Sequence, residues 1–147
     1  MMRLAAYQPD IAANLGAMIR TTACFGVSLD VIEPCGFPFS VKALRRSAMD
    51  YADLADIRRH DDWQAFLNCH NSARIVLLST RSHQSLWNFN FDKSDIVLVG
   101  RESAGVPDAV HDQVDHAVTV PMPGGGRSLN VAITAGIALA EGLRQCG

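Results

Sequence analysis

At 147 residues, with 48% hydrophobic and 19% charged side chains and a formal net charge of −2, the chain has the make-up of one globular domain able to bury a full core. No apolar run reaches membrane-spanning length and no basic-then-apolar leader opens the chain, so a cytoplasmic protein with a single domain over 1–147 is expected. Cys24, Cys35, Cys69 and Cys146 make no C-x-x-C pair, and the histidines are scattered without ligand-type spacing, so free thiols and no metal are expected.

A first strand is predicted over 4–7. A helix follows over 14–25, ended by Gly26 as a left-handed cap. A second strand covers 29–32, and 41–49 reads as a helix. Asp61 is the expected N-cap of the next helix, with Gln64 closing a capping box, and that helix runs to about residue 70. Continuous Ile, Val and Leu over 74–79 and 95–99 predict strands covered on both faces, as in a parallel sheet. A last strand is expected over 117–120 and a long terminal helix over 129–145. Alternating strands and helices predict an α/β fold with a mostly parallel sheet and helices on both faces.

In such sheets ligands bind beyond the carboxyl ends of the strands. Three loops lie there: 8–16, 100–105 and 121–128. Two carry the glycines that let backbone approach a ligand, Gly100 with Gly105 and Gly124 to Gly126. Turn formation alone accounts for any one of them. The chain has no G-x-G-x-x-G, no P-loop and no G-x-S-x-G elbow, which argues against an ordinary dinucleotide, nucleoside triphosphate or serine hydrolase site.

Three separated segments bring a family into view. Asn14-Leu15-Gly16, with Arg20 six residues after Asn14, resembles the first motif of the SPOUT superfamily. Gly100-Arg101-Glu102-Ser103-Ala104-Gly105 resembles the second, and Val120-Pro121-Met122 with Arg127-Ser128-Leu129-Asn130 the third. Their order and separation also match, over nearly the whole chain. Tyr7-Gln8-Pro9-Asp10-Ile11, Glu33-Pro34-Cys35-Gly36 and Leu44-Arg45-Arg46-Ser47 resemble the TrmL type, the small 2′-O-methyltransferases of the tRNA wobble nucleotide. Arg101, where that type usually has Pro, and Ala104, where it usually has a basic residue, depart from the pattern. So does the triple glycine, and these departures bear on substrate choice.

The resemblance implies a C-terminal trefoil knot and an S-adenosylmethionine site lined by Leu78, Gly100, Val120, Ser128 and Leu129. It implies methylation of a tRNA ribose 2′-hydroxyl at position 34, cytidine or carboxymethylaminomethyluridine. Arg20, Asn14, Glu102, Ser128 and Asn130 are the implied catalytic residues. A guanidinium with a pKa above roughly 12 is a poor base, so Arg20 is expected to grip phosphate and stabilise the attacking oxygen. Glu102 and Asn14 are expected to orient Arg20 or the ribose. Ser128 and Asn130 also fit as caps of the terminal helix.

Lys42, Arg45 and Arg46 share one helical face. Alone they read as a solvated surface; with a polyanionic substrate they and Arg127 become candidate phosphate contacts. The terminal helix is apolar almost all round, which predicts burial on two sides and hence a homodimer. Another tRNA or rRNA ribose, or a non-catalytic RNA-binding module, are the competing readings.

Overall fold

The computed structural model describes residues 1–40, 44, 51 and 53–147. The elements are β1 (Arg3–Tyr7), α1 (Ala12–Phe25), β2 (Ser28–Ile32), β3 (Ile57–His60), α2 (Trp63–Cys69), β4 (Ile75–Leu78), a 3-10 turn (Leu86–Asn88), β5 (Ile96–Val99), α3 (Asp108–Gln113), β6 (His116–Val118) and α4 (Val131–Cys146). The helix expected over 41–49 lies outside the described residues, apart from Leu44.

Among the described residues, six strands form one sheet in the order β3-β2-β1-β5-β4-β6, and every pairing of these strands is parallel. The sheet is therefore wholly rather than mostly parallel. Side chains alternate along each strand, so each face has its own core. Leu4 and Ala6 of β1 face Leu15, Met18 and Ile19 of α1 and Ala135, Ala138 and Leu139 of α4. Ala5 and Tyr7 face Phe66 of α2 and Val110 of α3. Near-continuous Ile, Val and Leu in β4 and β5 follow from burial on both faces.

Gly26 caps α1 at φ 65, where a Cβ would be strained, and its N–H reaches Ala23 O at 3.3 Å. The cap of α2 is Asp62 rather than Asp61: its carboxylate accepts the Ala65 N–H at 2.8 Å. The expected box does not close, because Gln64 donates to Asn68 instead. All four cysteines are free thiols.

Beneath α2 lies a buried charge cluster. Asp30, fully buried on β2, accepts from Arg3 Nε at 2.7 Å. It also bonds His60 Nε2 at 2.7 Å and His70 Nε2 at 3.1 Å. Burial works against its ionised form, but the bonds from Arg3, His60 and His70 together hold the Asp30 carboxyl below the usual range. The cluster joins β1, β2, β3 and the end of α2.

Candidate active site

Strand order reverses between β1 and β5: the chain adds β2 and β3 on one side of β1, and β5, β4 and β6 on the other. Such a switch point leaves a crevice outside the carboxyl ends of the strands. Here the crevice is a cavity of about 620 Å³, walled by the ends of β4, β5 and β6, the first turn of α1 and the segment entering α4.

The three separated motifs meet in this wall. Leu78, Gly100, Val120, Ser128 and Leu129 all line it, as do Asn14, Glu102, Asn130 and Arg127. Arg20 is not part of the wall; its guanidinium carbon stands 5.1 Å from the centre of the Tyr51 ring. Lys42, Arg45 and Arg46 lie outside the described residues. Arg58 and Arg59 on β3 are engaged within the chain: Arg59 forks onto Glu33 at 2.6 and 3.1 Å, and Arg58 donates to Cys69 Sγ at 3.1 Å.

The 100–105 loop is a closed turn. Arg101 and Gly105 exchange backbone hydrogen bonds at 3.0 and 2.9 Å, and Arg101 Nε donates to Gly105 O at 3.0 Å. Arg101 thus braces its own loop. Gly105 has φ +62, and a Cβ on Gly100 would stand 2.7 Å from the Gly105 carbonyl carbon. Both positions exclude a side chain, for different reasons.

Asn130 is the N-cap of α4, accepting the N–H groups of Ala132 at 2.9 Å and Ile133 at 3.1 Å. Ser128, the other candidate cap, stands free of that duty and lines the cavity. Asn130 Nδ2 donates to Asn14 Oδ1 at 3.0 Å, and Asn14 Nδ2 donates to Glu102 Oε1 at 2.9 Å. Burial, and then the neighbouring Asp10 carboxyl, push the Glu102 carboxyl up.

Two buried side-chain atoms lack a protein partner among the described residues: Glu102 Oε2 and His111 Nε2. Both belong to residues of the cavity wall. Orphaned polar atoms around an apolar slot lined by Leu78, Val120 and Leu129 are what a nucleoside ligand with a few polar anchors requires. The wall therefore fits an adenosyl cofactor.

Sequence reasoning missed two contributors here. His111 lies on α3, a six-residue helix whose periodicity is too short to read. Asp10 accepts from the Glu102 N–H at 3.1 Å and from the Ser103 hydroxyl. Its available signal was an acidic residue just past the first strand, at the edge of the switch point.

The SpoU rRNA Methylase family matches residues 1–140. A tRNA (cytidine(34)-2′-O)-methyltransferase of Beijerinckia indica is 49% identical over 98% of this chain and 91% of its own length. The protein of that name from Ancylobacter novellus is 46% identical over 99% and 94%. A solved structure concerned with 2-OH methylation of C/U34 on tRNA superposes with a TM-score of 0.93, at 40% identity, over 99% of this chain and 95% of the other.

Proposed function

Because the chain belongs to the SpoU rRNA Methylase family, we propose that it methylates the 2′-hydroxyl of the wobble ribose of tRNA: a cytidine at position 34, as in its named relatives, or a uridine there, as in the C/U34 methylation structure. The observation that carries this reading is the meeting of three distant segments in one cavity at the switch point. S-adenosylmethionine, when bound, supplies an activated methyl group on a sulfonium.

The residues of the chain do the rest. Leu78, Val120 and Leu129 offer the apolar slot, and Gly100 lets backbone come close to the ligand. Asn14, Glu102, Ser128 and Asn130 line the side on which the ribose must lie, with Asn14 held between Glu102 and Asn130. Transfer requires the ribose oxygen in line behind the methyl, with water excluded. Arg20 grips phosphate and stabilises charge growing on that oxygen with its planar fork. Arg127, exposed at the cavity mouth, with Lys42, Arg45 and Arg46, meets the RNA backbone.

Arg20 stands outside its own cavity wall, which favours service in a partner's site. We infer a homodimer through α4 and its entry segment, where Ile133 is 58% and Leu129 42% exposed. Apolar side chains so placed beside a site call for a cover. The reading includes a single domain over 1–147, which likeness to the C/U34 methylation structure over 99% of this chain supports, and a C-terminal trefoil knot. No helix among the described residues is long and apolar enough to cross a membrane, and the reading includes a cytoplasmic location, where a tRNA substrate would be met.

Incubating the protein with labelled S-adenosylmethionine and either bulk tRNA or ribosomal RNA tests this. Label should enter tRNA and resist alkaline cleavage of the neighbouring linkage, the mark of a blocked 2′-oxygen. Label in ribosomal RNA alone would shift the substrate, and none in either would leave an RNA-binding module.

A further inference from the structure

Three polar side chains from three parts of the fold, Asn130, Asn14 and Glu102, form one line of hydrogen bonds. At its start, Asn130 must turn its Oδ1 toward the Ala132 and Ile133 N–H groups. Its Nδ2 then points away and donates to Asn14 Oδ1 at 3.0 Å. That orients Asn14, which presents Nδ2 to Glu102 Oε1 at 2.9 Å. Each donor points the same way, from the positive end of α4 toward Glu102.

At Glu102 the line meets a second carboxyl group. Asp10 acts only as an acceptor: Oδ1 from the Glu102 N–H at 3.1 Å, Oδ2 from the Ser103 N–H at 3.4 Å and from the Ser103 hydroxyl. Those bonds fit an ionised Asp10. Glu102 Oε2 is buried and has no donor, while the backbone N–H of the same residue binds Asp10 Oδ1 at 3.1 Å, which brings the two carboxyl groups close. With both ionised, a buried oxygen without a donor would stand near a second negative charge. One proton on Glu102 Oε2 removes both faults.

We propose that Asp10 is a positioning residue of the cofactor site: its carboxylate accepts a hydrogen bond from a protonated Glu102, and that shared proton holds Glu102, Asn14 and Asn130 in line. The segment around Gly36 keeps Asp10 in place. The Gly36 N–H donates to Pro9 O at 2.9 Å, and a Cβ on Gly36 would stand 2.9 Å from both Cα and Cβ of Asp10. The backbone at Gly36 thus packs directly against Asp10.

The electrostatics agree. Burial and Asp10 raise Glu102, while the bond from Glu102 leads the influences that lower Asp10. Two carboxyls of one site are thus pushed apart. The other charged or titratable groups of the wall are Arg81, Arg101, His111 and Arg127. Arg81 pairs with Asp108, and Arg101 with Gly105 O. Among the described residues the charge acting on Glu102 is Asp10. Losing the proton sets two neighbouring carboxylates against each other and loosens the loops after β1 and β5 together with the start of α4. Cofactor affinity then falls as pH rises through the Glu102 pKa. This consequence rests on the cavity being the S-adenosylmethionine site; the proton itself belongs to the unliganded chain.

Two measurements test it. In the unliganded protein, carboxyl carbon-13 resonances are followed against pH. Glu102, assigned by its loss in Glu102→Gln, should titrate above the usual glutamate range, and lower in Asp10→Asn. A Glu102 titrating in or below the ordinary range, or one unmoved by Asp10→Asn, overturns the proposal. Affinity for S-adenosylhomocysteine is then measured by calorimetry from mildly acid to alkaline pH. Wild type should weaken with rising pH, and Glu102→Ala should lose about tenfold or more at acid pH. Glu102→Gln, whose amide donates to Asp10 as the acid does, should recover most of that loss and show no pH dependence. A Gln variant as poor as the Ala variant overturns the proposal. A raised Glu102 titration with no cofactor binding by wild type supports the shared proton and rejects the cofactor reading instead.

Discussion

Asn14 and Arg20 lie on the same helix but face different surroundings. Asn14 Nδ2 donates to Glu102 Oε1 at 2.9 Å in the cavity wall, whereas the Arg20 guanidinium lies over Tyr51. Six helical residues turn the chain by roughly 600°, which leaves the two side chains about 120° apart and roughly 9 Å along the axis. The two side chains therefore leave the helix in different directions. Asn14 lines the cavity of its own chain, and Arg20 does not.

Arg20→Ala should reduce methyl transfer by on the order of 100-fold, as loss of a charge-stabilising donor does, with cofactor affinity close to wild type. Arg20→Lys should be nearly as poor, since an ammonium lacks the planar fork. Mixing Arg20→Ala chains with Gly100→Leu chains should restore part of the activity, because one intact pairing of Arg20 with a cavity returns in each mixed dimer. Near-normal turnover by Arg20→Lys would reduce its role to a point charge. A stable, active monomer in sedimentation would remove the shared site.

Gly100→Ala places a methyl 2.7 Å from the Gly105 carbonyl carbon. The facing atoms are backbone, so the turn itself must move. Cofactor affinity should fall by about tenfold or more, equivalent to about 1.4 kcal/mol, and Gly100→Leu should abolish it. Calorimetry with S-adenosylhomocysteine checks this; undiminished binding would put the cofactor elsewhere.

The buried Asp30 cluster makes a prediction about acid. Its carboxyl sits below the ordinary value of 3.8 in the folded chain. The folded state therefore binds the proton less readily than the unfolded state. Asp30's contribution is complete above the unfolded value and is lost as pH falls through the lower folded one. Asp30→Ala removes the anion that Arg3, His60 and His70 share and should destabilise by about 3 kcal/mol or more at neutral pH. Thermal unfolding should show that loss, and it should shrink under acid conditions. A difference independent of pH would mean that Asp30 acts through packing alone.

Much of this was legible before the structure. Buried strands such as Ile96–Val99 announce themselves, and Gly26 marked the end of α1 correctly. The edge strand β3 did not, because Ile57-Arg58-Arg59-His60 reads as a charged patch. Only backbone pairing with β2 makes it a strand, with both arginines exposed and His60 turned inward. Ser128 and Asn130 were equally good caps in sequence, and geometry chose Asn130. The cavity wall followed from the motifs, except where contacts join distant parts of the chain. Asp10 meets Glu102 across 92 residues, a proximity that no local pattern carries.

Asn130→Ala should cost about 1 kcal/mol as a lost cap and also release Asn14 from one of its two partners. Cofactor affinity should therefore drop along with the melting temperature. Asn130→Asp keeps the cap acceptor but cannot donate to Asn14, so it should keep most of the stability and still lose affinity. Equal behaviour of the two variants in both measurements would show that the Asn130–Asn14 bond has no part in the site.

The most direct measurement is the position of the methyl group. Unmodified tRNA is incubated with the protein and S-adenosylmethionine, cut with a base-specific ribonuclease, and the anticodon fragment is sequenced by mass spectrometry. The expected result is one added methyl on the ribose of nucleotide 34, absent when Arg20→Ala protein is used. A methyl on a base, on a ribose elsewhere, or on no tRNA nucleotide at all would contradict wobble 2′-O-methylation by this cavity.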